Sequence, residues 1–80
     1  MTIGEACKVR ILELCQQRNI TVNKLAIISG VTQSTLNNVI SGRNHSVTVS
    51  TLQKLCDGLE ISITEFFTSD VFTGIEQEIK

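Results

Sequence analysis

The sequence has no proline, no tryptophan and no tyrosine, and only three phenylalanines in 80 residues. Turn residues and packed aromatics recur in β-sandwiches and barrels, so their scarcity argues against those folds. No apolar run is long enough to span a bilayer as a helix, and the start of the chain lacks the apolar region of a secretion signal. A strong charge of one sign is also missing. Seven Lys and Arg stand against eight Asp and Glu, giving a net charge of −1 and a pI of about 5.7. Taken as a sum, this balance argues against a strongly basic nucleic-acid binder.

The distribution of charge alters that reading. Residues 1–64 carry six basic groups (Lys8, Arg10, Arg18, Lys24, Arg43, Lys54) against four acidic ones (Glu5, Glu13, Asp57, Glu60), a net of +2. Residues 65–80 carry Glu65, Asp70, Glu76 and Glu78 against Lys80, a net of −3. The body of the chain is mildly basic and its tail is acidic. A chain of 80 residues is expected to form one domain with a limited core, and 41% hydrophobic residues is ordinary for a folded protein.

Three cysteines, Cys7, Cys15 and Cys56, are odd in number and lack C-x-x-C spacing. They predict a reduced, cytoplasmic setting. Cys7 and Cys15 share a helix face with Ile11 and are read as small core residues. No metal site and no cofactor is expected.

The apolar spacing predicts five helices and no strand. The first covers about Thr2–Arg18, with Ile3, Cys7, Ile11, Leu14 and Cys15 on one face and Val9 and Leu12 widening it. Thr21 is an expected N-cap for Val22–Ser29, where Leu25, Ala26 and Ile28 are the expected buried residues. Gly30 suits the left-handed conformation that ends a helix, because it has no Cβ. Thr32 then caps Gln33–Ser41, which Gly42 ends. After a polar loop holding Arg43, Asn44 and His45, Thr48 caps about Val49–Gly58, with Leu52, Leu55 and Cys56 inward. Ser62 opens a fifth helix, with Glu65 completing a capping box and Ile63 and Phe66 closing the core. In the tail, Val71, Phe72, Ile75 and Ile79 have helical spacing, which allows a sixth helix.

The third helix differs in kind. Leu36, Val39 and Ile40 form its apolar face, and Gln33, Ser34, Thr35, Asn37, Asn38 and Ser41 occupy the other side. Two short helices joined through Gly30, Val31 and Thr32 make a helix-turn-helix. In that arrangement the second helix enters the major groove of DNA. Gln and Asn make bidentate hydrogen bonds to adenine, Ser and Thr bond either partner of a pair, and the Thr35 methyl can meet a thymine methyl. The N-terminal N–H groups of the helix favour a phosphate.

The stretch from Thr21 to Arg43, with Leu25-Ala26, the turn Gly30-Val31 and Ser41-Gly42-Arg43, resembles the Cro/cI-type, or XRE, family of helix-turn-helix regulators. The stretch from Thr48 to Phe67, with Leu52, Leu59 and Phe66, resembles the two helices that follow in that family. The resemblance covers about residues 5–67, leaving 68–80 as an acidic tail. It implies an all-α, lambda-repressor-like bundle of five helices that binds operator DNA, generally as a dimer. Carried across by position, it implies base contacts at Gln33, Ser34, Asn37 and Asn38. It implies backbone contacts at Thr32, Thr35, Arg43 and Asn44, with Lys24 as a further one.

Three positions depart from the family pattern. Cys15 and Ile40 stand where many members have an Arg–Glu pair, so an apolar contact is expected in its place. Val22 stands where a polar residue often touches the DNA backbone. Glu60 stands where a helix-ending Gly is common.

The expected function is a sequence-specific DNA-binding transcriptional regulator, with double-stranded operator DNA as partner and a homodimer as the binding form. The alternative is an antitoxin or other protein-interaction module that holds a partner through its tail. The apolar tail residues are compatible with local core or with a dimer seam. An enzyme is disfavoured. The sequence shows no grouping of nucleophile, base and oxyanion donors, and no Gly-rich phosphate loop. His45 has no acid, nucleophile or metal partner at useful spacing and is read as a bystander. No membrane association is expected.

Overall fold

A computed structural model describes residues 1–41, 47–77 and 79. It contains α1 (Ile3–Gln17), α2 (Val22–Ser29), α3 (Gln33–Ser41), α4 (Val49–Leu59), α5 (Ile63–Phe67) and a 3-10 turn at Asp70–Phe72. The described residues are all-helical, as the apolar spacing predicts. Expected helix ends at Gly42 and loop residues through His45 lie outside the described residues.

Local chemistry sets the helix starts. Thr2, Thr21, Thr48 and Ser62 have extended backbones, and each hydroxyl accepts from the N–H three residues on. Thr32 does the same for Thr35. Each cap satisfies one of the donors that a helix leaves without an internal partner. At Thr2 the box is reciprocal, because the Thr2 N–H also donates to Glu5 Oε1 at 2.9 Å. That bond to the charged form holds the Glu5 carboxyl below its ordinary pKa. At Ser62 the hydroxyl arm is made, at 3.0 Å from the Glu65 N–H. Two helix ends are left-handed, Gly30 at φ 67° and Glu60 at φ 59°. The second places a Cβ where glycine would be unstrained.

All five helices feed one core. Ile11, Leu25, Leu36, Leu55, Leu59 and Phe66 are its largest fully buried side chains. Cys7, Cys15 and Cys56 are buried and unpaired, matching their reading as core residues. Burial raises their thiol pKa values, which disfavours the reactive thiolate.

The helix-turn-helix is fixed from behind by α4, which packs more extensively on α2 than any other pair of elements does. The contact is close at Gly58. A Cβ there would stand 2.3 Å from Ser29 Oγ, 3.0 Å from Ser29 Cα and 3.1 Å from the Ile28 carbonyl oxygen. This close crossing corrects one sequence expectation. Leu25 and Ala26 are buried as expected, but the third buried residue of α2 is Ser29, while Ile28 is 40% exposed. A near-contact of two helix backbones selects a small side chain at the crossing and rotates its larger neighbour outward. Leu12 is likewise exposed rather than part of the apolar face.

The structure also buries a charge that apolar spacing does not reveal. Arg10 is 7% exposed. Its Nε donates to the Phe66 carbonyl at 2.7 Å, and its Nη2 donates to the Glu65 carbonyl at 2.9 Å. Its Nη1 pairs with Glu13. One guanidinium therefore serves the carbonyl end of α5 and ties it to α1.

The tail is not a sixth helix where it is described. Ser69 accepts from the Val71 N–H, and the chain makes only the short turn before Gly74 takes φ 76°. Phe72 packs with Phe66 and Phe67, at ring-centroid distances of 6.0 and 4.8 Å. The turn lies against α1, whereas Ile79 is 86% exposed. Anchoring Phe72 in the aromatic cluster outweighs the weak helical stripe, which Gly74 interrupts.

Three substitutions test these contacts by urea denaturation. Gly58→Ala is expected to lose about 1–3 kcal/mol to overpacking against backbone atoms that no rotamer can clear. That exceeds the gain of about 1 kcal/mol from better helix propensity, so a raised midpoint would refute the close-crossing account. Arg10→Met is expected to cost about 1–3 kcal/mol, because the Phe66 carbonyl and Glu13 lose their Arg10 partner and the Glu65 carbonyl keeps only the Thr68 N–H. Glu60→Gly is expected to raise the midpoint, because relief of about 1–2 kcal/mol of left-handed strain exceeds glycine's entropic cost of about 0.5–1 kcal/mol.

Candidate nucleic-acid interface

The helix α3 turns Leu36 and Val39 into the core and leaves its other side open. Gln33, Ser34, Asn37, Asn38 and Ser41 line one shallow, open depression of about 470 Å³. The four residues expected to read bases are therefore brought onto one surface. Ser41 joins them, although it was not among the expected contacts. Its spacing, four residues after Asn37 and seven after Ser34, is the signal that places it there. Gln33, Ser34, Asn37 and Ser41 are exposed, and Asn38 is half-buried.

These side chains have little internal work. Among the described residues, the side chains of Gln33, Ser34, Asn37 and Asn38 make no hydrogen bond; Ser41 Oγ donates to the Asn38 carbonyl at a long 3.4 Å. The surface thus presents amide and hydroxyl groups still available to an external partner. None of its five residues carries a charge.

The expected backbone contacts sit in different settings. Thr32 Oγ1 accepts from the Thr35 N–H at 3.2 Å and donates to Thr35 Oγ1 at 2.8 Å. A lone pair of Thr32 is thereby committed to capping α3 and its proton to Thr35 Oγ1, while the Thr35 hydroxyl proton remains to be donated outward. Capping through Thr35 leaves the N–H groups of Gln33 and Ser34 at the helix start, where the dipole favours an anion. Lys24 is exposed in the first turn of α2 and does not line the depression. Arg43 and Asn44, the remaining two expected contacts, lie outside the described residues.

The departures at Cys15, Ile40 and Val22 have a shared physical outcome. Cys15 is buried, and Ile40 and Val22 are half-buried against the core. All three spend apolar surface on packing. Arg10, counted among the basic groups in the sequence, is buried, with its guanidinium turned to the α5 carbonyls and Glu13. Among the described residues, no group of three His, Cys, Asp or Glu could hold a metal ion. No described helix is long and apolar enough to cross a membrane.

A model of the Cro/C1-type HTH DNA-binding domain matches residues 10–70. The fold is similar to the crystal structure of the prophage Lp1 protein 11, with a TM-score of 0.79 and 38% sequence identity. That similarity covers 86% of this chain and 91% of the other. No curated protein matches the sequence.

Proposed function

This chain belongs to the Cro/C1-type helix-turn-helix DNA-binding domain family, and from that premise we propose that it is a sequence-specific transcriptional regulator acting on double-stranded operator DNA in the cytoplasm. The observation that carries the proposal is the single surface made by Gln33, Ser34, Asn37 and Asn38 on α3. In this reading those four side chains contact base edges. Lys24, Thr35, Arg43 and Asn44 hold the phosphates on either side, and Thr32 sets the start of α3.

Electrostatics favour a dimer as the binding form. Each phosphate contact contributes a slope of about −0.9 in log K against log salt. The internal position of Arg10 leaves few cations in the body of the domain for this purpose. Two copies double the phosphate contacts and, in a two-fold arrangement, set the half-sites about 34 Å apart. The tail gives less support to an antitoxin-like role. Val71 and Phe72 are already half-buried, and Glu76 accepts an ion pair from the N-terminus at 3.9 Å.

Electrophoretic shift of genomic fragments at two salt concentrations tests the proposal. Retention of a few fragments above the non-specific level is the expected result, and uniform lack of retention at low salt defeats it. Two substitutions then separate the roles. Asn38→Ala is expected to cost about 1–3 kcal/mol at one base position. Lys24→Ala is expected to weaken all sequences alike and to lower the salt slope by about 1.

A further inference from the structure

Resting on that reading of α3, we infer that the domain selects adenine-bearing A·T pairs at the centre of its half-site and discriminates against G·C pairs there. The base edges differ in what they ask of a protein. Guanine offers two acceptors, O6 and N7, and is read by the paired donors of Arg or Lys. Adenine offers an acceptor at N7 and a donor at N6, and is read by an amide, which supplies one donor and one acceptor. Among the described residues, the depression on α3 contains three amides, at Gln33, Asn37 and Asn38, two hydroxyls, at Ser34 and Ser41, and no cation. The chemistry of these five side chains matches adenine, and none of them supplies the fork that guanine requires.

Geometry extends the match over more than one pair. Gln33 and Asn37 are one helical turn apart on the same row, a rise of about 6 Å along α3. That is close to two base steps of about 3.4 Å each. Ser34, Asn38 and Ser41 form a second row beside it, at spacings of four and three residues. Two rows of neutral donor–acceptor groups can therefore address successive pairs and both strands. Asn38 is half-buried, whereas Gln33 and Asn37 are exposed. Thr35, with its hydroxyl accepting from Thr32, carries a methyl suited to the C5-methyl of the thymine opposite an adenine.

The test is selection from a randomised duplex pool by the full chain at low salt, followed by affinity measurement on the selected site. The expected consensus has adenines at its centre. Replacing those adenines by 7-deazaadenine, which keeps the pairing and removes the N7 acceptor, is expected to weaken binding by about fivefold to 150-fold per reader. Asn37→Ala and Asn38→Ala should each abolish the preference at one of these positions, with the helical circular dichroism unchanged. A consensus centred on guanine, or no loss on 7-deazaadenine substitution, overturns the inference while leaving a DNA-binding regulator in place. Enrichment of no sequence with equal affinity for every duplex also overturns it. Absence of any DNA retention defeats the underlying reading as well.

Discussion

The orientation of α3 depends on one steric constraint, the near-contact of α2 and α4 at Ser29 and Gly58. A helix-turn-helix of seventeen helical residues has too little surface to hold its own crossing angle. Packing α4 behind α2, with only the small Ser29 side chain against Gly58, gives α2 a rigid support. Leu36 and Val39 then dock α3 into the same core, and the Gly30–Thr32 turn sets its direction. The proposed reading surface is what this arrangement leaves over, the side of α3 that does not enter the core. Loss of the close crossing would displace the surface as a whole before it changed any one of its side chains.

Arg10 plays the corresponding part at the other end of the core. An arginine that is 7% exposed is costly unless its donors are used, and here three are, on two carbonyls of α5 and on Glu13. The five-residue α5 is too short to be stable alone, and the guanidinium supplies a partner to the Phe66 carbonyl and a second one to the Glu65 carbonyl. The three phenylalanines then seal the same end. This use of Arg10 removes a basic group from the exposed surface of the domain.

What was legible in the sequence was local. Thr21, Gly30, Thr32, Thr48 and Ser62 act within one turn of the chain, so residue type at a given spacing is enough to locate the helix ends. The common surface of Gln33, Ser34, Asn37 and Asn38 was legible for the same reason, since they share one face of a single helix. What escaped the sequence depends on distant partners. Ser29 is buried because of Gly58, and Arg10 because of Phe66, which lies 56 residues away. Neither partnership leaves a mark on local periodicity. The tail shows the reverse failure. Val71, Phe72, Ile75 and Ile79 have helical spacing, but Phe72 finds a better site in the aromatic cluster than any helix could offer, and Gly74 breaks the pattern.

The same locality explains how binding and selectivity can be divided between different parts of this chain. Attraction to DNA scales with the number of phosphates neutralised, and the acidic tail and internal Arg10 keep that number small. Discrimination depends on whether donors and acceptors match a base edge, and α3 supplies these without charge. A reader with strong charge binds many sites well, so its specificity is a small difference between large affinities. A neutral reader gains little from wrong sites, because an amide facing the wrong edge leaves desolvated groups without partners. The weak attraction is thus the counterpart of selectivity. In the proposed dimer, two linked half-sites would restore affinity and multiply the discrimination of each, which makes a paired arrangement the physical complement of an uncharged helix face.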